Sequence, residues 1–208
     1  KMKKIRTKKQ VKAIKINIKR RTVIVDDKLI FKNKIPLPSW IELSIIDVCN
    51  RTCSFCPKSD PSVAPDTFQK MEKPIINKLC KDLKNMGFKG SVVLCGYGEP
   101  MLHKNVFEIC DQISKVAFVE VVSNGDTLNP KSIKKLYLSN VNKLLISMYD
   151  GPEQRKKFSE MIKKAEVPKD FVILRDRWHD ESKDYGLKLT NRTGTINIGI
   201  QEEVKINS

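Results

Sequence analysis

No apolar run in this chain of 208 residues approaches the roughly eighteen that a membrane-crossing helix needs, so insertion into a bilayer is not expected. The N-terminus, "KMKKIRTKKQVKAIKINIKRR", lacks the apolar central region and small-residue cleavage site of a secretory signal, which points to a cytoplasmic protein. Histidine is nearly missing: only His103 and His179 occur, neither at a local spacing useful for zinc. Acidic residues are absent from positions 1 to 21, and no cysteine follows Cys110. There is no internal repeat, and no low-complexity segment beyond the Lys-rich start.

What is present begins with charge. Forty Lys and Arg against 24 Asp and Glu give a formal net charge of +16, which raises nucleic-acid binding as a possibility. Residues 1 to 21 alone carry eleven of the basic residues, leaving only +5 for the remainder. The excess is therefore largely a tail, and a solvated or weakly interacting basic tail is the preferred reading over a nucleic-acid surface. Six cysteines in a reducing compartment are ligands, catalytic groups or small buried side chains rather than disulfides. Cys80 and Cys110, in helical-looking segments, and Cys95, at the end of an apolar run, read as buried structural residues.

Hydrophobic patterning divides the chain into a basic, β-rich leader and linker over 1–39, a main domain over 40–200 and a tail over 201–208. In the leader, "AIKINIK" and "TVIV" suggest one or two short strands, and "KNKIPLPSW", broken by Pro36 and Pro38, reads as a linker. From Trp40 the pattern alternates. Strand-like runs at 41–46, 91–95, 118–122, 143–149 and 171–175 are separated by helix-like segments at 68–86, 105–115, 130–139 and 152–165. Strand and helix in alternation imply a parallel sheet wound by right-handed crossovers. The expected fold is α/β, a partial (β/α) barrel of five or six parallel strands. The segment "YGLKLTNRTGTINIGIQEEVKINS" alternates like a strand but has no clear following helix.

In such folds functional groups gather on loops after the carboxyl ends of the strands. The unusual residues of this chain lie there. "VCNRTCSFCPK" follows the first strand, "GYGEP" (96–100) the second and "SNGD" (123–126) the third; Ser147, Tyr149 and Asp150 end the fourth, and Arg175 the fifth. Cys49, Cys53 and Cys56 fall within eight positions, with no fourth cysteine to close a tetrahedral zinc site. Ferredoxin-type cubes use four thiolates with the last followed by proline; Pro57 fits, but the spacing and the count do not. A third possibility is a [4Fe-4S] cube on three thiolates, whose remaining iron is open to a small molecule.

Cys-x3-Cys-x2-Cys with an aromatic before the last cysteine resembles the radical S-adenosylmethionine (radical SAM) superfamily. "GYGEP" is similar to that family's glycine-glutamate-proline segment, "SNGD" to its asparagine-glycine turn and Ser147 to its ribose-contacting hydroxyl. The resemblance implies that Cys49, Cys53 and Cys56 ligate a [4Fe-4S] cluster, with Phe55 beside the adenine of S-adenosylmethionine. It implies Gly96, Gly98 and Glu99 at the methionine ammonium, Ser123, Asn124 and Ser147 at the nucleoside, and Arg175 at the methionine carboxylate. No residue is singled out as a separate catalytic acid or base. Solvated roles are preferred for Asp126, Tyr149, Asp150 and His179. "ILRDRW" with "YGLKLTNRTG" is similar to the region preceding the cysteine-rich SPASM extension of enzymes that modify peptides, proteins or metabolites, an extension expected to be lost or truncated here.

The implied reaction is reductive cleavage of S-adenosylmethionine to a 5'-deoxyadenosyl radical that abstracts hydrogen from a peptide, protein, sugar or metabolite. A reductant such as flavodoxin or ferredoxin is the implied partner. The alternative is a non-catalytic iron-sulfur or metal-binding module with a basic tail that contacts nucleic acid.

Overall fold

The computed structural model describes residues 30–53 and 55–177. The first two strands, β1 (Phe31–Lys32) and β2 (Ile35–Pro36), pair antiparallel as a small hairpin. Its two turn residues, Asn33 and Lys34, both have positive φ, at 50° and 65°. That backbone matches the twist of a two-residue hairpin loop, and Asn favours it. The stretch expected to be a plain linker is thus partly a hairpin. Pro36 is tolerated because a two-stranded ribbon is all edge.

Five parallel strands follow in sequence order: β3 (Trp40–Leu43), β4 (Ser91–Leu94), β5 (Phe118–Ser123), β6 (Lys143–Met148) and β7 (Val172–Asp176). Four helices alternate with them: α1 (Lys73–Met86), α2 (Val106–Ser114), α3 (Pro130–Leu138) and α4 (Glu153–Ala165). This is the expected partial barrel, with five strands among the described residues. The leader strands, His179 and the C-terminal segment lie outside the described residues.

Two boundaries differ from the sequence reading in an instructive way. The helix expected from residue 68 begins at Lys73, because Pro74 is best accommodated in a first turn, where no intrahelical N–H bond is lost. The residues before it are used otherwise: Lys70 bridges Ile46, the Met71 N–H donates to the Ile45 carbonyl at 2.8 Å, and the Asp47 N–H donates to the Gln69 carbonyl at 3.2 Å. The first strand correspondingly ends at Leu43 rather than 46, and residues 45–47 pair with this incoming loop.

Period two sorts each strand between two faces. Val92, Leu94, Val119, Val121, Leu144, Ile146 and Met148 point to the helices and form the core with Ile76, Leu83, Ile113, Ile133, Leu136 and Phe158. Each fully buried aliphatic of this set contributes about 1.5–3 kcal/mol relative to exposure. Cys80 and Cys110 are buried there, as expected. Cys95 is only half-buried, because it lies one residue past the end of β4. The other face of the sheet is different in kind. Ladder partners Val93 and Glu120, Val122 and Leu145, and Ser147 and Arg175 share it. Charged and hydroxyl side chains thus alternate with aliphatic ones on the barrel interior, unlike the uniformly apolar face toward the helices.

α3 shows how local sequence sets an element. Asn129 accepts from the Ser132 N–H at 2.9 Å and the Ser132 hydroxyl accepts from the Asn129 N–H at 2.9 Å, a reciprocal cap beside Pro130. That cap starts the helix four residues after Asp126 and leaves "SNGD" as a tight loop over the carboxyl end of β5.

Candidate active site

The cysteine loop has almost no regular structure of its own between Ser44 and Cys56, so its shape comes from what it touches. On one side the Asp47 carboxylate accepts from the Thr67 N–H at 2.9 Å and also from its hydroxyl. On the other the Glu99 N–H donates to the Val48 carbonyl at 2.9 Å. Gly98 explains how the two loops come so close. A Cβ there would lie 1.9 Å from the Ile46 carbonyl oxygen, so only glycine fits. Gly98 is buried against that backbone, whereas Gly96 and Tyr97 are exposed on the rim, with Gly96 against Ser44.

Glu99 is 3% exposed and holds two loops together. One carboxylate oxygen accepts from the Asn124 N–H at 2.8 Å and the other from the Met101 N–H at 3.1 Å, and the Ser123 hydroxyl is a further partner. Burial pushes the Glu99 carboxyl above its ordinary range, partly offset by these donors. Ser123 also accepts from the Gly125 N–H at 3.0 Å. Gly125 has φ +84°, and a Cβ there would sit 2.5 Å from the Phe158 ring, so this glycine is required by both backbone and packing.

Asn124 turns the carboxyl end of β5 toward the cysteines. Its amide donates to the Asn50 side-chain oxygen at 2.8 Å and approaches the Cys49 sulfur at 3.9 Å, while its oxygen accepts from the Asp126 N–H at 2.9 Å. Arg51 completes the link. Its Nε and Nη2 donate to Asp126 at 2.6 and 2.7 Å, and its Nη1 and Nη2 donate to Asp150, both at 2.6 Å. The guanidinium lies 5.6 Å from the Tyr149 ring centroid, and that ring meets Phe55 at 5.3 Å. The guanidinium holds the Asp150 carboxyl below the usual carboxylate range.

At the far side of the mouth Ser147 is fully buried and accepts from Arg175 Nη2 at 2.7 Å. The Tyr149 hydroxyl also bonds Ser147, and burial raises this phenol's pKa. The candidate cluster and cofactor residues thus sit at or just past the carboxyl ends of the strands, and most are joined in one contact network. Sequence reasoning missed Arg51. It also took Asp126, Tyr149 and Asp150 for solvated loop residues. Asp126 and Asp150 are indeed exposed, yet Arg51 binds both carboxylates, and Tyr149 departs from that reading, half-buried beside Phe55 and Ser147. A lone arginine between two cysteines carries no signal of a carboxylate 75 or 99 positions away.

Cys49, Cys53 and Cys56 are free and partly buried. Burial raises the Cys49 thiol and pushes Cys53 up to about 11; each of the two is raised further by neighbouring cysteine thiolate charge. A bound cation would reverse that direction, since it stabilises thiolates. Among the described residues no three His, Cys, Asp or Glu side chains converge as the ligands of one ion do. An iron-sulfur cube asks for something else, one soft thiolate at each of several separate irons, and three thiols on one loop suit it. Among the described residues no helix is long and apolar enough to cross a membrane.

The family model for the Radical SAM superfamily matches residues 43–200. A curated relative, the S-adenosyl-L-methionine-dependent 2-deoxy-scyllo-inosamine dehydrogenase of Niallia circulans, is 28% identical over 120 residues, 56% of this chain and 47% of the relative. The chain therefore spans about half the length of that relative. Among solved structures, BtrN in complex with AdoMet and 2-DOIA aligns with a TM-score of 0.64 at 25% identity, covering 78% of this chain and 63% of that one. BtrN in an open conformation shares the fold, with a TM-score of 0.52 at 24% identity over 73% of this chain and 58% of that one.

Proposed function

Because the chain belongs to the radical SAM superfamily, we propose that it binds a [4Fe-4S] cluster through Cys49, Cys53 and Cys56 and uses S-adenosylmethionine to oxidise a small, sugar-like alcohol. When bound, cluster and S-adenosylmethionine supply a 5'-deoxyadenosyl radical that takes a hydrogen atom from substrate. The observation that carries the proposal is the joining of the three-cysteine loop to the ends of β5 and β6 through Asn124, Arg51 and Phe55.

This chain's residues bind and orient. Phe55 and Tyr149 present aromatic faces for the adenine. Gly96 and the backbone beside it are the exposed part of "GYGEP" for the methionine ammonium, and Glu99 beneath holds that loop to the end of β5. Ser123, Asn124 and Ser147 offer hydroxyl and amide contacts to the nucleoside. Arg175, whose guanidinium already donates to Ser147, is the partner for the methionine carboxylate. Glu120, Ser147 and Arg175 on the interior face of the barrel offer polar groups to a hydroxylated substrate, and the named dehydrogenase among the relatives supports the same class.

The domain over 40–200 is the catalytic unit, preceded by the basic leader over 1–39. The kinship to the SPASM-containing subgroup rests on "ILRDRW" and "YGLKLTNRTG", and the electron donor is a low-potential protein such as flavodoxin or ferredoxin. A cytoplasmic setting suits both an oxygen-sensitive cluster and free thiols.

Anaerobic reconstitution tests the reading. The protein is expected to show a [4Fe-4S] spectrum that changes on adding S-adenosylmethionine, and to form 5'-deoxyadenosine after reduction. With an aminocyclitol such as 2-deoxy-scyllo-inosamine, a ketone product is expected in proportion to the nucleoside: one hydrogen atom goes to 5'-deoxyadenosine, and the substrate then loses a proton to solvent and an electron to the oxidised cluster or an external one-electron acceptor. An intact cluster that yields no 5'-deoxyadenosine refutes the enzymatic chemistry; nucleoside without ketone across a panel of aminocyclitols and sugars refutes the substrate class.

A further inference from the structure

We propose that Arg51, clamped between Asp126 and Asp150, positions the cysteine loop and, with those two carboxylates, sets the charge beside the cluster; this rests on the family reading of Cys49, Cys53 and Cys56. Arg51 lies two residues after Cys49 and two before Cys53, in a stretch whose backbone belongs to no helix or strand. It makes four hydrogen bonds of 2.6–2.7 Å to carboxylates from two different strand ends. Asn50 adds a fifth link, donating to Asp126 at 2.9 Å.

An ordinary exposed ion pair contributes about 0–1 kcal/mol and positions little. This one differs in two respects. Its side chain is only 18% exposed, although Asp150 is half open to solvent. Its fork also meets both carboxylates through paired donors, a geometry that fixes orientation as well as distance and that lysine cannot reproduce. The ring of Tyr149 limits how far the guanidinium can move on one side. Two strand ends thus determine where the middle of the cysteine loop sits.

The charge count gives the clamp a second consequence. One positive guanidinium faces two carboxylates, and Arg51 and Asp150 act on Cys53 with opposite sign. Cluster reduction potentials respond to net charge and to hydrogen bonds at the sulfurs. A nearby negative charge disfavours the reduced cube, and a low potential is what delivery of an electron to a sulfonium requires. The Asn124 amide near the Cys49 sulfur belongs to the same network.

Three substitutions separate position from charge. Asp150→Asn keeps an acceptor and removes one negative charge; Arg51→Gln removes the positive charge; Arg51→Lys keeps charge and loses the fork. The readouts are amide hydrogen exchange of residues 48–58 in cluster-free protein, and the midpoint potential of the reconstituted cluster by anaerobic spectroelectrochemistry. Arg51→Lys is expected to speed exchange of the loop about tenfold, equivalent to about 1.4 kcal/mol. Asp150→Asn is expected to make the potential more positive and Arg51→Gln more negative. Wild-type exchange in both Arg51 variants overturns the positioning role, and potentials that shift in the same direction overturn the electrostatic one. A wild-type protein that takes up no cluster overturns the functional reading itself, while the cluster-free exchange still judges the clamp.

Discussion

Replacing Glu99 with alanine removes the acceptor that ties "GYGEP" to "SNGD". Two buried backbone donors, the Asn124 and Met101 N–H groups, then lose their partner. An orphaned buried donor costs about 1–3 kcal/mol, so the pair predicts a loss of about 2–4 kcal/mol after partial relaxation. For a chain of this size that corresponds to a Tm lowered by about 5–15 °C. The loss carries a pH signature. Burial raises the folded Glu99 carboxyl above its ordinary 4.5, so the folded state binds the proton more readily than the unfolded one. Its contribution to stability is therefore fully present below the ordinary value and falls as pH rises through the raised one. Glu99→Ala has no such dependence, so its deficit relative to wild type should be largest at acid pH and shrink toward pH 8. Paired thermal scans from pH 5 to 8 measure this. A deficit below about 1 kcal/mol, or one that grows with pH, refutes the assignment of Glu99 as a buried acceptor with a raised pKa.

Cys53→Ala should abolish both bound iron and 5'-deoxyadenosine formation, read by metal analysis and chromatography; retained product would refute the ligand set. Gly98→Ala drives a Cβ against the Ile46 carbonyl and should cost about 1–3 kcal/mol or more in a denaturant titration, with weaker S-adenosylmethionine binding. Unchanged stability there would mean that the two loops are not in contact. Ser147→Ala leaves the partly buried Arg175 and Tyr149 groups without their shared hydroxyl partner, and should lower stability by about 1–3 kcal/mol, read as a lower denaturation midpoint at constant m. A wild-type midpoint would refute that contact.

Much of the fold was legible because it is written in short-range periodicity. Among the described residues, the alternation of β-branched runs with helix-patterned segments located the five strands of the parallel sheet and the four α-helices. The errors fell where a distant partner decides local structure. Residues 68–72 have helical composition but pair instead with residues 45–47. The hairpin turn at Asn33 and Lys34 was hidden behind two prolines.

The division at the site has the same cause. Residue types and spacing along the chain determined the chemistry on offer: three thiols with no fourth, glycines and a carboxylate after the second strand, and an amide after the third. Those are local properties, and the parallel alternation brings successive strand ends to one rim whatever the loops do. Only the tertiary structure decided which groups meet. Glu99 turns inward as a buried acceptor, Gly98 makes room for a neighbouring backbone, and Arg51 joins two carboxylates 75 and 99 residues away. A side chain's partner across the sheet depends on register and loop path, and neither is encoded in the few residues around it.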